Sequence, residues 1–209
     1  MICAIVLAAG ESRRMGAHKL LLPYAGKTVI SHIVDQLLDS AIGGIYVIVG
    51  HEGARIAEEL SGRPVRVVSN PDYRTGMLSS VRCGLRALPP RCEAILVALG
   101  DQPGISPELV GQMIHSFNRV DKGIVVPCFR GKRGHPIVFS ERFRNEIMTQ
   151  YDNVGLRGLL QAHPEDVFEL NVLAPAALSD MDYPEDYRRE LSLLEDSNRA
   201  KHKHASRDE

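Results

Sequence analysis

The feature that most constrains this chain is how its first strand ends. Ile2 to Leu7 is a short apolar, partly β-branched run that reads as a buried strand. Ala8, Ala9 and Gly10 then strip the backbone of side chains where the strand must stop, and Gly10 and Gly16 can both take positive φ. A ligand can approach such a main chain closely, and its run of N–H groups suits an anion. Arg13, Arg14 and Lys19 add three cations nearby. Two are guanidiniums able to bind a phosphate through two bonds, and one is an ammonium acting as a point charge. Together these residues read as a grip for a polyphosphate. The loop is not a Walker loop, since Gly-Lys-Ser/Thr is missing. The Gly-x-Gly-x-x-Gly spacing of dinucleotide binders is missing too, which discounts a nicotinamide-dependent dehydrogenase.

Downstream, strands and helices alternate. Val29, Ile30, Ile33, Val34, Leu37 and Leu38 fall at helical spacing behind Thr28, a candidate N-cap, and His32 reads as a packed or surface histidine. Ile45–Val49 is a second buried strand, which makes a βαβ unit with a right-handed crossover. A helix over about 52–60, a strand over 65–68 and a helix ended by Pro89-Pro90 follow. Ala94–Leu99 is the most apolar strand and stops at Gly100-Asp101-Gln102-Pro103. The next helix starts at Pro107, and Gly123–Pro127 is another strand. The segment Arg130-Gly131-Lys132-Arg133-Gly134-His135-Pro136 then returns the chain antiparallel into Ile137–Phe139. Helices over 142–148 and 156–162 and a last strand over 167–170 complete the pattern. The expectation is a single-domain, three-layer α/β fold, Rossmann-like, with a mostly parallel sheet and one antiparallel return. It spans residues 1–194, and the polar stretch 195–209 is expected to be a frayed or disordered tail.

Several site residues carry two readings on residue type alone. Asp101 is either a turn residue or a carboxylate placed at the ligand-bearing end of an open sheet. Ser79 and Ser80 are helix caps or ligand contacts at a helix N-terminus. The basic tip around Arg133 is a solvated turn or a substrate wall, and Arg157 is an acceptor contact or a surface pair. Asp180, Asp182, Glu185 and Asp186 suit a helix N-terminus, where the macrodipole favours acids.

Three segments together resemble one family. Leu7-Ala8-Ala9-Gly10-x-Ser12-x-Arg14-Met15-Gly16-x-x-Lys19, Gly100-Asp101-Gln102-Pro103 and Asp180-Met181-Asp182-Tyr183-Pro184-Glu185-Asp186 are similar to the signature of the molybdenum cofactor cytidylyltransferases and their molybdopterin guanylyltransferase relatives. Gly76-Met77-x-Ser79-Ser80-Val81-Arg82, Arg133-Gly134-His135-Pro136 and Gly155-Leu156-Arg157-Gly158 extend the likeness to about Leu191. Tyr183 departs from it, since the family usually has Thr there. The resemblance implies a nucleotidyltransferase that moves CMP from CTP to the phosphate of molybdopterin cofactor and releases pyrophosphate. GTP is the alternative donor, and a non-catalytic cofactor-delivery protein is the alternative class.

On the same basis Arg14 and Lys19 are catalytic cations, and Leu7, Ala8, Ala9, Gly10, Ser12, Arg14, Lys19, Ser80 and Asp101 bind the nucleotide. His135 and Arg157 contact the acceptor, and Asp101 with Asp182 hold Mg²⁺. A molybdenum hydroxylase is the recipient that this implies.

Composition sets limits on the rest. A net charge of −1 gives no general attraction to nucleic acid, and the absence of tryptophan with only 5% aromatics argues against base-stacking platforms. No apolar run reaches the length of a membrane span and no signal peptide is visible, so a cytoplasmic protein is expected. Cys3, Cys83, Cys92 and Cys128 form no Cys-x-x-Cys pair, and free buried thiols are the expectation.

Overall fold

The computed structural model describes residues 1–173 and 179–205, with backbone alone from residue 197 onward. Among the described residues, ten strands and seven α-helices follow in order: β1 Ile2–Ala8, β2 Pro23–Tyr24, β3 Lys27–Thr28, α1 Val29–Leu38, β4 Ile45–Val49, α2 Gly53–Glu59, β5 Arg66–Ser69, α3 Met77–Ala87, β6 Ala94–Leu99, α4 Pro107–Arg119, β7 Ile124–Phe129, β8 Lys132–Arg133, β9 Ile137–Ser140, α5 Arg144–Thr149, α6 Leu156–Ala162, β10 Val167–Asn171 and α7 Pro184–Ala205. The central sheet has the order β10-β7-β9-β6-β1-β4-β5, with β8 paired to β7. Strand β9 runs antiparallel between β6 and β7, and the β7–β8 pairing is antiparallel as well. The other pairings in this sheet are parallel. This is the single α/β domain, with its antiparallel return, that the sequence leads one to expect.

Period-two alternation divides the central strands between two cores. Ala4, Val6 and Ala8 of β1 and Ala94, Leu96 and Ala98 of β6 face α1, α2, α4 and α7. Cys3, Ile5, Ile95 and Val97 face α3, α5 and α6 on the other side. Every residue of β6 is buried, as a parallel strand covered on both faces requires. Thr28 caps α1 as expected, its side chain accepting from the Ser31 N–H, and Ser106 caps α4 in the same way.

β1 lies at the centre of the sheet, between β6 and β4, so the ends of these strands meet. The Gly100 N–H donates to Leu7 O at 2.9 Å, and the His51 N–H donates to Ala9 O at 3.2 Å. A Cβ on Gly100 would lie 2.8 Å from that Leu7 carbonyl, so only glycine lets the two strand exits approach this closely.

Two expectations change. The thiols are not all free: Cys3 on β1 and Cys92 just before β6 form a disulfide, while Cys83 and Cys128 remain free. The two paired cysteines lie 89 residues apart in sequence, and only the parallel β1–β6 pairing brings them together. Helical backbone also continues past Leu194 to Ala205, through most of the stretch expected to be frayed. Its Glu, Arg, Lys and Ala content favours helix even where no apolar face is present. No helix among the described residues is long and apolar enough to cross a membrane.

The disulfide closes a long loop, and such a crosslink stabilises chiefly by restricting the unfolded chain. Denaturant unfolding with and without reductant should therefore differ by about 2–4 kcal/mol in the native protein. A Cys92→Ser variant should show no such difference.

Candidate active site

The loop after β1 is shaped by Ser12 and Gly16. Their φ angles are +52° and +67°, whereas Gly10, expected to share this role, is not among the positive-φ residues. The Ser12 carbonyl accepts from the Met15 N–H at 3.0 Å, and its hydroxyl accepts from the Lys19 N–H at 3.3 Å. The loop thus folds back on itself and delivers Lys19 into a cleft of about 550 Å³.

Lys19 Nζ donates to Asp101 Oδ2 at 2.5 Å and to Asp182 Oδ1 at 3.0 Å. Its side chain is only 12% exposed and that of Asp101 18%. Burial works against the ammonium, but Asp101 and Asp182 outweigh it and hold the Lys19 pKa above its ordinary value. Asp101 stands at the exit of β6. Asp182 is brought to it because the Met181 N–H donates to the Asp101 carbonyl at 3.2 Å and the Met181 side chain is fully buried.

Arg14 donates to Asp182 Oδ2 at 3.0 Å and lies 5.6 Å from the centre of the Tyr183 ring. Asp186 accepts from the backbone N–H groups of Asp182 and Tyr183 at 3.1 and 2.9 Å. This is half of a capping box. The tyrosine in the usual threonine position gives up the reciprocal cap and offers an aromatic face to Arg14 instead.

Leu7, Ala9, Gly10, Ser12, Arg14, Lys19, Ser80, Asp101 and Asp182 all line this cleft. Ala8 does not, because strand alternation turns its methyl into the core. Ser80 is buried on α3 and accepts from Asn70 Nδ2 at 3.0 Å, and neither Ser79 nor Ser80 is the N-cap of that helix. His135 and Arg157 stand apart from this group, in a second cleft of about 790 Å³. Gly76 and Met77, where α3 begins, line both clefts. Burial lowers the His135 pKa, against an opposing pull from Asp101, so the ring is neutral at pH 7. It therefore offers an N–H rather than a full charge.

Sequence reading missed part of the first cleft. Glu11 accepts from Arg74 Nε at 3.1 Å and also from Arg13, and all three line the cleft. Arg13 is one of the three loop cations read from the sequence, and Glu11 sits inside the same motif and could have been noticed. Tyr73 and Arg74 lie in a short turn with no sequence signal, and only the fold carries them to the cleft. Gln102 is 5% exposed and donates to Asp180 Oδ1, which ties the β6 exit to the segment that carries Asp182.

The donor set fits a hard divalent cation. Two carboxylates from separate elements converge on one point, and no cluster of three or more metal-binding side chains forms among the described residues. That is the arrangement used when substrate phosphates and waters supply the remaining oxygens.

An α/β sheet whose central strand ends in a cation-bearing small-residue loop, opposite paired carboxylates, defines the nucleoside-triphosphate-handling class. Comparison with known proteins makes this specific. Residues 4–167 match the MobA-like NTP transferase domain. The chain is 30% identical over 175 residues to the nicotine blue oxidoreductase of Paenarthrobacter nicotinovorans, covering 78% of this chain and 83% of that one. It is 25% identical over 187 residues to the molybdenum cofactor cytidylyltransferase of Escherichia coli, covering 89% and 93%. Among solved structures, a nucleotidyl transferase from Methanothermobacter superposes with TM-score 0.83 at 27% identity, covering 94% and 99%. A manganese complex of Rv0371c from Mycobacterium tuberculosis superposes with TM-score 0.77 at 28% identity, covering 91% and 98%. The chain belongs to the MobA-like NTP transferase family, a nucleotidyltransferase family whose substrate is a nucleoside triphosphate.

Two measurements follow from this geometry. Asp101→Asn and Asp182→Asn each remove one charge while keeping size, and each should lower kcat by roughly 10²-fold or more. Both variants should keep a cooperative melt, because the remaining carboxylate still pairs with Lys19. The second concerns His135, whose folded pKa lies below the ordinary value of 6.5. The unfolded chain then binds more protons than the folded one in the window from 6.5 down to the lowered value, so stability falls as pH drops through it. Thermal melts below pH 6.5 should show a shallower fall for His135→Gln than for the native protein.

Proposed function

We propose that this protein transfers CMP from CTP to the phosphate of molybdopterin cofactor and releases pyrophosphate. The observation that carries this is the meeting of Lys19, Asp101 and Asp182 beneath the loop after β1. A phosphate oxygen of the acceptor attacks the α-phosphorus, the bond from that phosphorus to the bridging oxygen breaks, and pyrophosphate leaves with its electron pair. The acceptor brings its own nucleophile, so the protein needs no Ser-His or Cys-His array.

The loop N–H groups and Arg14 would bind the phosphates, and Lys19 would offset charge as it moves to the leaving group. Asp101 and Asp182 would hold Mg²⁺, which when bound neutralises triphosphate charge. Ser80, which lines the same cleft, would contact the nucleoside. His135 and Arg157, in the adjoining cleft, would meet the acceptor. Gly76 and Met77 line both clefts, and this adjacency suits two substrates reacting end to end.

The relatives carry the names of different activities, so family membership alone does not choose the reaction. The cluster of Lys19 with two carboxylates favours transfer, because it is suited to polyphosphate charge. A protein that only delivered cofactor would have no use for both carboxylates. On transfer, the product goes to a molybdenum hydroxylase.

The direct test is pyrophosphate release with Mg²⁺, molybdopterin cofactor and each nucleoside triphosphate in turn. CTP should exceed GTP in kcat/KM by at least about tenfold, because the wrong base leaves polar groups in the pocket unpaired. Equal or better turnover with GTP would reassign the donor. No pyrophosphate with any triphosphate would remove the transferase reading.

A further inference from the structure

Helix α3 separates the two clefts. Its first residue, Met77, lines both, and its buried Ser80 lines the first. Arg82, half a turn further on, points the other way, toward the second cleft. Its side chain is 17% exposed, and its guanidinium makes three bonds to one stretch of chain. Nε donates to the Ile147 carbonyl at 2.8 Å, Nη2 to the Gln150 carbonyl at 2.6 Å and Nη1 to Asp152 Oδ1 at 2.5 Å. The two carbonyls belong to the end of α5, where the last turn of a helix leaves acceptors without intrahelical donors. Asp152 opens the loop that continues through Asn153 and Gly155 to Arg157 and forms one wall of the second cleft.

That loop needs an external tie. Tyr151 has φ of +74°, a conformation that a bulky residue in an isolated loop would leave readily. Tyr151 anchors one side through its hydroxyl bond to Glu146, which His163 also contacts. Arg82 anchors the other side, and it does so from the helix that carries Ser80.

We propose that Arg82 is a positioning residue for acceptor binding: it fixes the 147–155 wall, and with it Arg157, to the helix that borders the nucleotide. This rests on the transferase reading for its kinetic consequence, though not for its structural one. A planar guanidinium meeting two carbonyls and a carboxylate at once is a fit that lysine cannot reproduce. Arg82 does not line either cleft, so its effect on the acceptor is indirect.

The test compares the native chain with Arg82→Gln, Arg82→Lys and Asp152→Asn. In Arg82→Gln, amide hydrogen exchange over 147–155 should speed up by about tenfold or more, while exchange over β1 and β6 stays unchanged. Acceptor KM, measured with molybdopterin cofactor, should rise about tenfold with CTP KM and kcat within about threefold. Arg82→Lys should fall between Arg82→Gln and the native chain in both readouts. Asp152→Asn keeps an acceptor oxygen but removes its charge, which weakens one of the three ties and should give a smaller rise in exchange; it also serves if Arg82→Gln does not fold. Unchanged exchange over 147–155 in Arg82→Gln, or in both other variants, would overturn the proposal. So would an equal rise in CTP KM, which would mark a general loss of structure. If the native chain transfers no nucleotide at all, the transferase reading falls, and the exchange data still decide the clamp.

Discussion

The ammonium of Lys19 is the point on which the site depends. It joins three parts of the chain that are far apart in sequence: the loop after β1, the exit of β6 and the segment leading into α7. Two carboxylates held side by side would repel and drift apart, or one would take up a proton. Lys19 bonds to both at once, so the two carboxylates are held close together. The raised pKa of Lys19 is the same fact seen from the cation, since its burial is unfavourable and only the paired carboxylates overcome it. A triphosphate arriving with its own negative charge meets one ammonium and two carboxylates already in place. Electrostatic preorganisation of this kind needs little rearrangement during reaction.

The sheet makes this juxtaposition possible. β1 is flanked by β6 and β4 in parallel, so the exits of all three strands fall on one edge. The close contact of Gly100 with Leu7 O fixes Asp101 against the loop, and the Met181 N–H bond to Asp101 O fixes the last segment in turn. Those are backbone bonds, which explains how charged side chains can be placed so closely without a large cluster of stabilising neighbours. Behind them α3 sets the spacing between the two clefts, with its buried apolar face packed on Ile5 and Ile95.

Much of this was legible in the residues. Hydrophobic period and turn chemistry found the strands, the helices and the antiparallel return, and Thr28 was recognisable as a cap. The convergence of Lys19, Asp101 and Asp182 was legible only through the family signature, because no local rule links positions so far apart. For the same reason Tyr73 and Arg74 were missed: they occupy an ordinary turn, and their place at the cleft is a product of strand order. The disulfide between Cys3 and Cys92 was invisible because cysteine spacing says nothing about which strands pair. The direction of the Ala8 side chain could have been read from alternation, whereas the motif treats its neighbours as one unit.

In the proposed function Asp101 and Asp182, spaced by Lys19, would complete a cation site only when a triphosphate supplies the missing oxygens. Mn²⁺ binding followed by electron paramagnetic resonance, with and without a non-hydrolysable CTP analogue, tests it most directly. The expected result is weak binding to the protein alone, tight binding of one ion when the analogue is present, and loss of that binding in Asp101→Asn and Asp182→Asn. Tight binding that ignores the analogue, or that survives in both variants, would contradict it.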